Sequence, residues 1–150
     1  MNYSIRLIEI RTNLNLLQQD VAKVLNISRS TYKDYELQIS IIPVKHLITL
    51  SKYFQVSIDY LFGFVDFLQY DGMKEADKIE SGKRLKALRK ENKLTQKKLS
   101  FILNTTFSSI AFYEKGRNFI NTSFLYMICK KYQVSADYLL GKIDEPKYLK

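Results

Sequence analysis

Residues 94–114, Leu-Thr-Gln-Lys-Lys-Leu-Ser-Phe-Ile-Leu-Asn-Thr-Thr-Phe-Ser-Ser-Ile-Ala-Phe-Tyr-Glu, decide how the rest of the chain is read. Thr95 is placed to cap a short helix whose apolar residues Leu99, Ile102 and Leu103 fall on one stripe. Thr106 is placed to cap a second helix, with Ile110 and Tyr113 on its inward side. Only Asn104 and Thr105 are left to turn the chain between them, so the stretch reads as two short helices meeting at a tight turn.

Outward from that stretch the pattern repeats. A shift of 78 residues lays residues 5–66 on residues 83–144 without a gap, and about a third of the aligned pairs are identical. The pairs include Arg11 with Arg89, Leu16 with Leu94, Gln18 with Gln96, Tyr35 with Tyr113 and Glu36 with Glu114. Gln-Val-Ser and Asp-Tyr-Leu recur at residues 55–57 and 59–61, and again at 133–135 and 137–139. This is a duplicated domain rather than a solenoid, because each unit is too long for one solenoid repeat.

Leu-Thr-Gln at 94–96, then Ser108, Ile110 and Tyr113-Glu114 followed by Gly116, resemble the phage-repressor (Cro-like, XRE-type) helix-turn-helix family, and residues 83–141 follow its pattern throughout. The resemblance implies an all-α fold of two tandem five-helix, lambda-repressor-like domains. The expected boundaries are residues 1–66 for the first, 67–82 for a linker, 83–144 for the second and 145–150 for a tail.

Composition limits the function classes. Residues 1–70 carry 7 Lys+Arg against 6 Asp+Glu, net +1, and residues 71–150 carry 17 against 9, net +8, so the basic footprint belongs to the second repeat. One cysteine and one histidine cannot build a zinc site or a disulfide framework. Cys129 aligns with Ser51 and is expected to be a buried core residue. With no phosphate loop of P-loop spacing and no nucleophile beside a base, no catalysis, metal or other cofactor is expected. The charged amphipathic amino terminus and the lack of a long apolar run lead to the expectation of a cytoplasmic protein.

Within the first repeat, residues 5–13 are expected to form the first helix, with Leu7 and Ile10 inward, Arg6 and Arg11 outward or at the edge, and Leu16 filling the core. Leu17 stands where Thr95 caps, so the next helix either starts uncapped or begins at Asn15. Ser28 and Ser57 are caps, Pro43 is expected in the first turn of the fourth helix, and Gly63 ends the fifth. Residues 64–70 are too apolar for a free tether and are expected to dock, Asp71-Gly72 is the expected break, and Ser81-Gly82 is read as punctuation before the second domain. The tail is expected to fray.

A helix-turn-helix lays the outer face of its second helix in the major groove of duplex DNA. The family resemblance gives phosphate contacts to Gln18 and Gln96, with Thr95 and Lys97 beside the latter, and to the loop Lys115, Gly116 and Arg117. The matching loop in repeat one, Leu37-Gln38-Ile39, lacks that basic grip. By position the base readers are Phe107, Ser108 and Ala111, and in repeat one Arg29, Ser30 and Lys33. Arg11 with Glu36 and Arg89 with Glu114 resemble the family's structural ion pairs. The remaining basic residues of the second repeat's first two helices, Arg84 among them, are equally well read as a solvated face. The expected role is a sequence-specific transcriptional regulator, a repressor, that self-associates as a homodimer or acts as an intramolecular pseudo-dimer. A different class also fits: an antitoxin-like interaction or dimerisation module, favoured by apolar Ile39, Ile41, Phe107 and Phe112 at outward positions.

Overall fold

The computed structural model describes residues 1–68 and 70–146, and among them the chain forms ten α-helices. In the first repeat these are α1 (Tyr3–Asn13), α2 (Gln18–Val24), α3 (Arg29–Glu36), α4 (Val44–Phe54) and α5 (Ile58–Leu61). The second contains α6 (Lys78–Glu91), α7 (Gln96–Ile102), α8 (Phe107–Glu114), α9 (Thr122–Tyr132) and α10 (Ala136–Leu139). Two compact units result, dividing between Asp71 and Gly72.

Local chemistry sets the helix ends. The Ser28, Ser57, Thr95 and Thr106 hydroxyls each accept the N–H three residues on. Without a hydroxyl at position 17, α2 still starts at Gln18. The Leu17 N–H donates to the Asp20 carboxylate at 2.7 Å, half of a capping box, and Asn15 lies outside the helix with φ +56°. Each helix is closed by a left-handed residue, and the positions keep the 78-residue register: Asn15 and Lys93, Asn26 and Asn104, Gln38 and Gly116, Gln55 and Gln133, Gly63 and Gly141. Backbone geometry is therefore more faithfully duplicated than sequence.

Each unit has its own core. Leu7, Val21, Tyr32, Leu47, Leu50 and Ile58 are sealed in the first; Leu85, Leu99, Ile110, Leu125, Ile128 and Leu139 fill the second. Cys129 is buried, as expected. Ile10, Leu16, Ile102 and Tyr113 are only half-buried, so they close the rim of the core rather than fill it.

Several expectations are corrected. Arg6 and Arg84 do not point outward. Arg6 donates to the carbonyls of Tyr60 and Val65 at 2.7 and 2.6 Å, lies 4.1 Å over the Tyr60 ring and pairs with Asp66. Arg84 repeats this with Tyr138, Ile143 and Asp144. Each guanidinium thus satisfies carbonyls at the carboxyl end of the repeat and ties its first helix to its last.

Pro43 is the cap residue preceding α4 rather than part of its first turn. Ser81-Gly82 does not punctuate anything, because α6 starts at Lys78 behind an Asp77 cap and runs straight through both residues. The stretch read as linker therefore belongs to the second unit from residue 72 onward: Lys74 and Asp77 donate their N–H groups to Lys142 and Leu140. Of residues 64–70, Val65 is buried while Phe67 and Leu68 are exposed, and Gln69 lies outside the described residues. In the tail, the Pro146 carbonyl accepts the Ser135 N–H, and residues 147–150 lie outside the described residues.

Candidate nucleic-acid interface

In both repeats a tight turn with a left-handed asparagine, Asn26 or Asn104, joins a seven-residue helix to an eight-residue one. Asparagine is suited to that conformation because its short polar side chain lowers the steric cost. The second helix buries Tyr32, Tyr35 and Glu36 in α3, and Ile110 in α8. Its other side is open: Arg29, Ser30 and Lys33 are exposed, as are Phe107 and Ser108, while Ala111 is half-buried.

Behind each open face lies the ion pair. The Arg11 guanidinium grips Glu36 with two bonds of 2.7 and 3.0 Å, and Arg89 grips Glu114 with 2.6 and 3.0 Å. Both arginines also donate to a carbonyl five residues on, Leu16 or Leu94, which fixes the entry to the next helix. Gln18 and Gln96 join the same cluster, donating to Glu36 and Glu114 at 3.0 and 3.1 Å. A side-chain amide has two N–H donors, so the carboxylate orients the glutamine and leaves one donor for another acceptor.

Burial acts against the charge on Glu36, but the hydrogen bonds from Arg11 and Gln18 outweigh it and hold its pKa below the ordinary glutamate value. A depressed carboxylate stabilises the fold fully above the unfolded pKa, near 4.5, and that contribution is lost as pH falls through the folded value. Acidification from pH 6 to 3 should therefore loosen α1 against α3, and Glu36→Gln should flatten this dependence. An unchanged pH profile of amide protection in the variant would count against it.

The loop after α8 combines two exposed basic side chains with a glycine packed against its own repeat. Lys115 and Arg117 are exposed, with Arg117 5.5 Å from the Phe112 ring centre. Gly116 has φ +75°, and a Cβ there would sit 2.8 Å from Ile79 Cα, so the close approach it permits is to α6 of its own repeat. In repeat one Gln38 holds this position and donates to Ser4 Oγ at 2.8 Å. Thr95 keeps its hydroxyl on the Lys98 N–H, while Lys97 is exposed beside it. Sequence reasoning missed the Gly116 contact because Ile79 lies in a stretch read as linker.

A family model described as a helix-turn-helix domain matches residues 82–145, and a second, described as helix-turn-helix, matches residues 7–61. The chain is a tandem pair of helix-turn-helix domains of the phage-repressor-like kind. Among curated proteins it is 34% identical over 61 residues to the antitoxin PezA of Streptococcus pneumoniae, covering 41% of this chain and 39% of that one. It is 31% identical over 64 residues to the uncharacterized HTH-type transcriptional regulator YobD of Bacillus subtilis, covering 43% and 57%. The matches thus span less than two thirds of either relative. No solved structure matches significantly. Among the described residues no group of histidine, cysteine or carboxylate side chains could hold a metal, and no helix is long and apolar enough to cross a membrane.

Proposed function

We propose that this tandem helix-turn-helix protein is a sequence-specific double-stranded DNA-binding transcriptional regulator, a repressor, acting in the cytoplasm as a homodimer or intramolecular pseudo-dimer. The observation that carries this reading is the open outer side of α3 and α8 on a scaffold whose other side is packed and ion-paired. Arg29, Ser30 and Lys33 would read base edges from α3, and Arg29 is suited to a bidentate guanine contact. Phe107 and Ala111 would meet thymine methyls, with Ser108 between them. Gln18 and Gln96 would use their remaining amide donor on phosphates, with Thr95, Lys97, Lys115, the Gly116 backbone and Arg117. The similarity to an HTH-type regulator supports the class.

Selection of bound sites from random duplex DNA tests the proposal, since the length and symmetry of an enriched motif report how many recognition helices engage. Absence of any enriched duplex motif would sink it. The second repeat should supply most of the affinity. Replacing Lys115 and Arg117 by alanine should weaken binding to all sequences and flatten the slope of log affinity against log salt by about 1.8, at about 0.9 per lost phosphate contact. Arg29→Ala should instead relax preference at one base pair.

The second reading, an antitoxin-like protein-interaction or dimerisation module, is favoured by a specific observation. Ile39, Ile41, Phe107 and Phe112 are all exposed, Ile39 at 69%, and one relative is an antitoxin. Salt-dependent binding to duplex DNA separates the two.

A further inference from the structure

The second repeat carries an apolar surface that the DNA reading does not use. Ile102, Leu103, Tyr126, Met127 and Tyr132 line a groove of about 320 Å³ between α7 and α9. At Ile102 it meets a second depression of about 370 Å³, bounded by Leu94 and Phe101. Phe101 is 88% exposed and Met127 44%, although both sit in regular helices whose other sides fill the core. Four lysines stand on the borders of these depressions, Lys97 and Lys98 on α7 and Lys130 and Lys131 on α9. No acidic residue lines either one, and none of the four ammonium groups is paired with a carboxylate among the described residues.

The duplicated fold supplies an internal control. At the same positions repeat one has Lys23 for Phe101, Thr49 for Met127, Asp20 for Lys98 and Tyr53 for Lys131. Repeat one keeps apolar Val24, Leu25, Ile48 and Phe54 for Ile102, Leu103, Tyr126 and Tyr132, and Lys52 for Lys130, but the same backbone is built without the exposed Phe101 and Met127 and without three of the four lysines, so folding does not require these. Exposing a phenylalanine costs solubility and offers no packing in return.

We propose that this α7–α9 groove of the second repeat docks an amphipathic helix of another protein, with apolar side chains at i, i+3 or i+4 and i+7 in the groove and carboxylates against the lysine rim. A groove between two helices with an apolar floor takes a helical face, and the rim fixes the sign of the partner's charge. A second copy of this chain is a poor occupant, since residues 71–150 already carry net +8. This surface is separate from the outer face of α8 and shares only Lys97, at its edge, with the DNA-binding reading, so the proposal stands or falls on the other groove residues, independently of that reading.

The test is selection of displayed random peptides against the full chain, in parallel with Phe101→Lys/Met127→Thr, which installs the residues that repeat one carries in the same fold. Wild type should enrich peptides with apolar residues at helical spacing and Asp or Glu between them. A synthetic peptide from that pool should shift the amide signals of α7 and α9, weaken with salt, and bind the double variant at least about tenfold less tightly. Duplex DNA binding should be the same in both proteins, which keeps the two readings distinguishable. Enrichment of neutral or basic peptides, or of none, overturns the proposal. So does self-association that the double variant abolishes, which gives the groove to a second copy. Equal binding of single-stranded DNA or anionic vesicles at the groove overturns it as well, reducing the surface to a general polyanion site.

Discussion

Gly82→Ala should cost the second repeat about 3 kcal/mol, although the same change in a free helix would gain about 1 kcal/mol. The sign reverses because of what faces the new methyl group. An ideal Cβ at residue 82 lies 2.4 Å from the Tyr113 carbonyl oxygen and 2.6 Å from that of Glu114. These are backbone atoms in the last turn of α8, and no rotamer can move them aside. To admit the methyl group, α8 must slide away from α6, loosening the Arg89 to Glu114 contact that joins the same two helices. Repeat one has Ser4 here, buried and accepting a hydrogen bond from Gln38, so its crossing is wide enough for a Cβ. A unit of this size is stable by roughly 4 to 11 kcal/mol in all, so the loss is a large share. A urea titration of the full chain, followed through resolved amide signals, checks this: α6 and α8 should melt at lower denaturant while α1 and α3 serve as the reference. An unmoved midpoint for α6 and α8 would contradict the account.

The same pair of helices shows which parts of the structure could be read from sequence. The caps at Thr95, Thr106, Ser28 and Ser57 were legible because each is a bond to an N–H three residues away, and the duplication was legible because it needs no structure at all. Gly82 was not, because a glycine after a serine in a polar stretch looks like a break, and its reason lies in the backbone of Tyr113 and Glu114. Arg6 and Arg84 look solvent-facing by periodicity, yet their carbonyl partners lie 54 and 59 residues on. Gly116, given by the family resemblance to a phosphate-contacting loop, has φ +75°, and the space beside it is filled by Ile79, which no local pattern announces. Gln55 and Gln133 carry left-handed backbones that glutamine does not advertise. For the candidate interface, Arg11 with Glu36 and Arg89 with Glu114 were readable by family resemblance, whereas the bonds of Gln18 and Gln96 to those glutamates were not read, the resemblance giving these glutamines phosphate contacts instead. Their assembly into one cluster was not readable, because it depends on three helices meeting.

Arg89→Ala should destabilise the second repeat by about 3 to 5 kcal/mol, the cost of leaving a buried carboxylate without its partner. The side chains of Arg89 and Glu114 are 9% and 4% exposed, so water cannot take over the hydrogen bonds that are lost. Glu114→Ala should cost a similar amount for the reciprocal reason. Removing both leaves no buried charge, and the double variant should therefore be less destabilised than the sum of the singles by at least about 1 kcal/mol. Screening matters little to such a pair, so the effect should persist at high salt, whereas the loss of DNA affinity in the Lys115/Arg117 double variant is an electrostatic term that salt itself suppresses. A further consequence separates this pair from a mere brace. Gln96 donates to Glu114 at 3.1 Å, so Glu114→Gln, which keeps the shape but replaces one acceptor with a donor, should turn the Gln96 amide away from its present orientation. Under the DNA-binding proposal that variant should lose affinity with the salt slope nearly unchanged, because a neutral amide releases no counterion, while retaining more stability than Glu114→Ala. Unfolding midpoints for the four proteins of the cycle, read from α6 and α8 amides, decide the energetic part. Additive losses would show that the two side chains act through separate contacts.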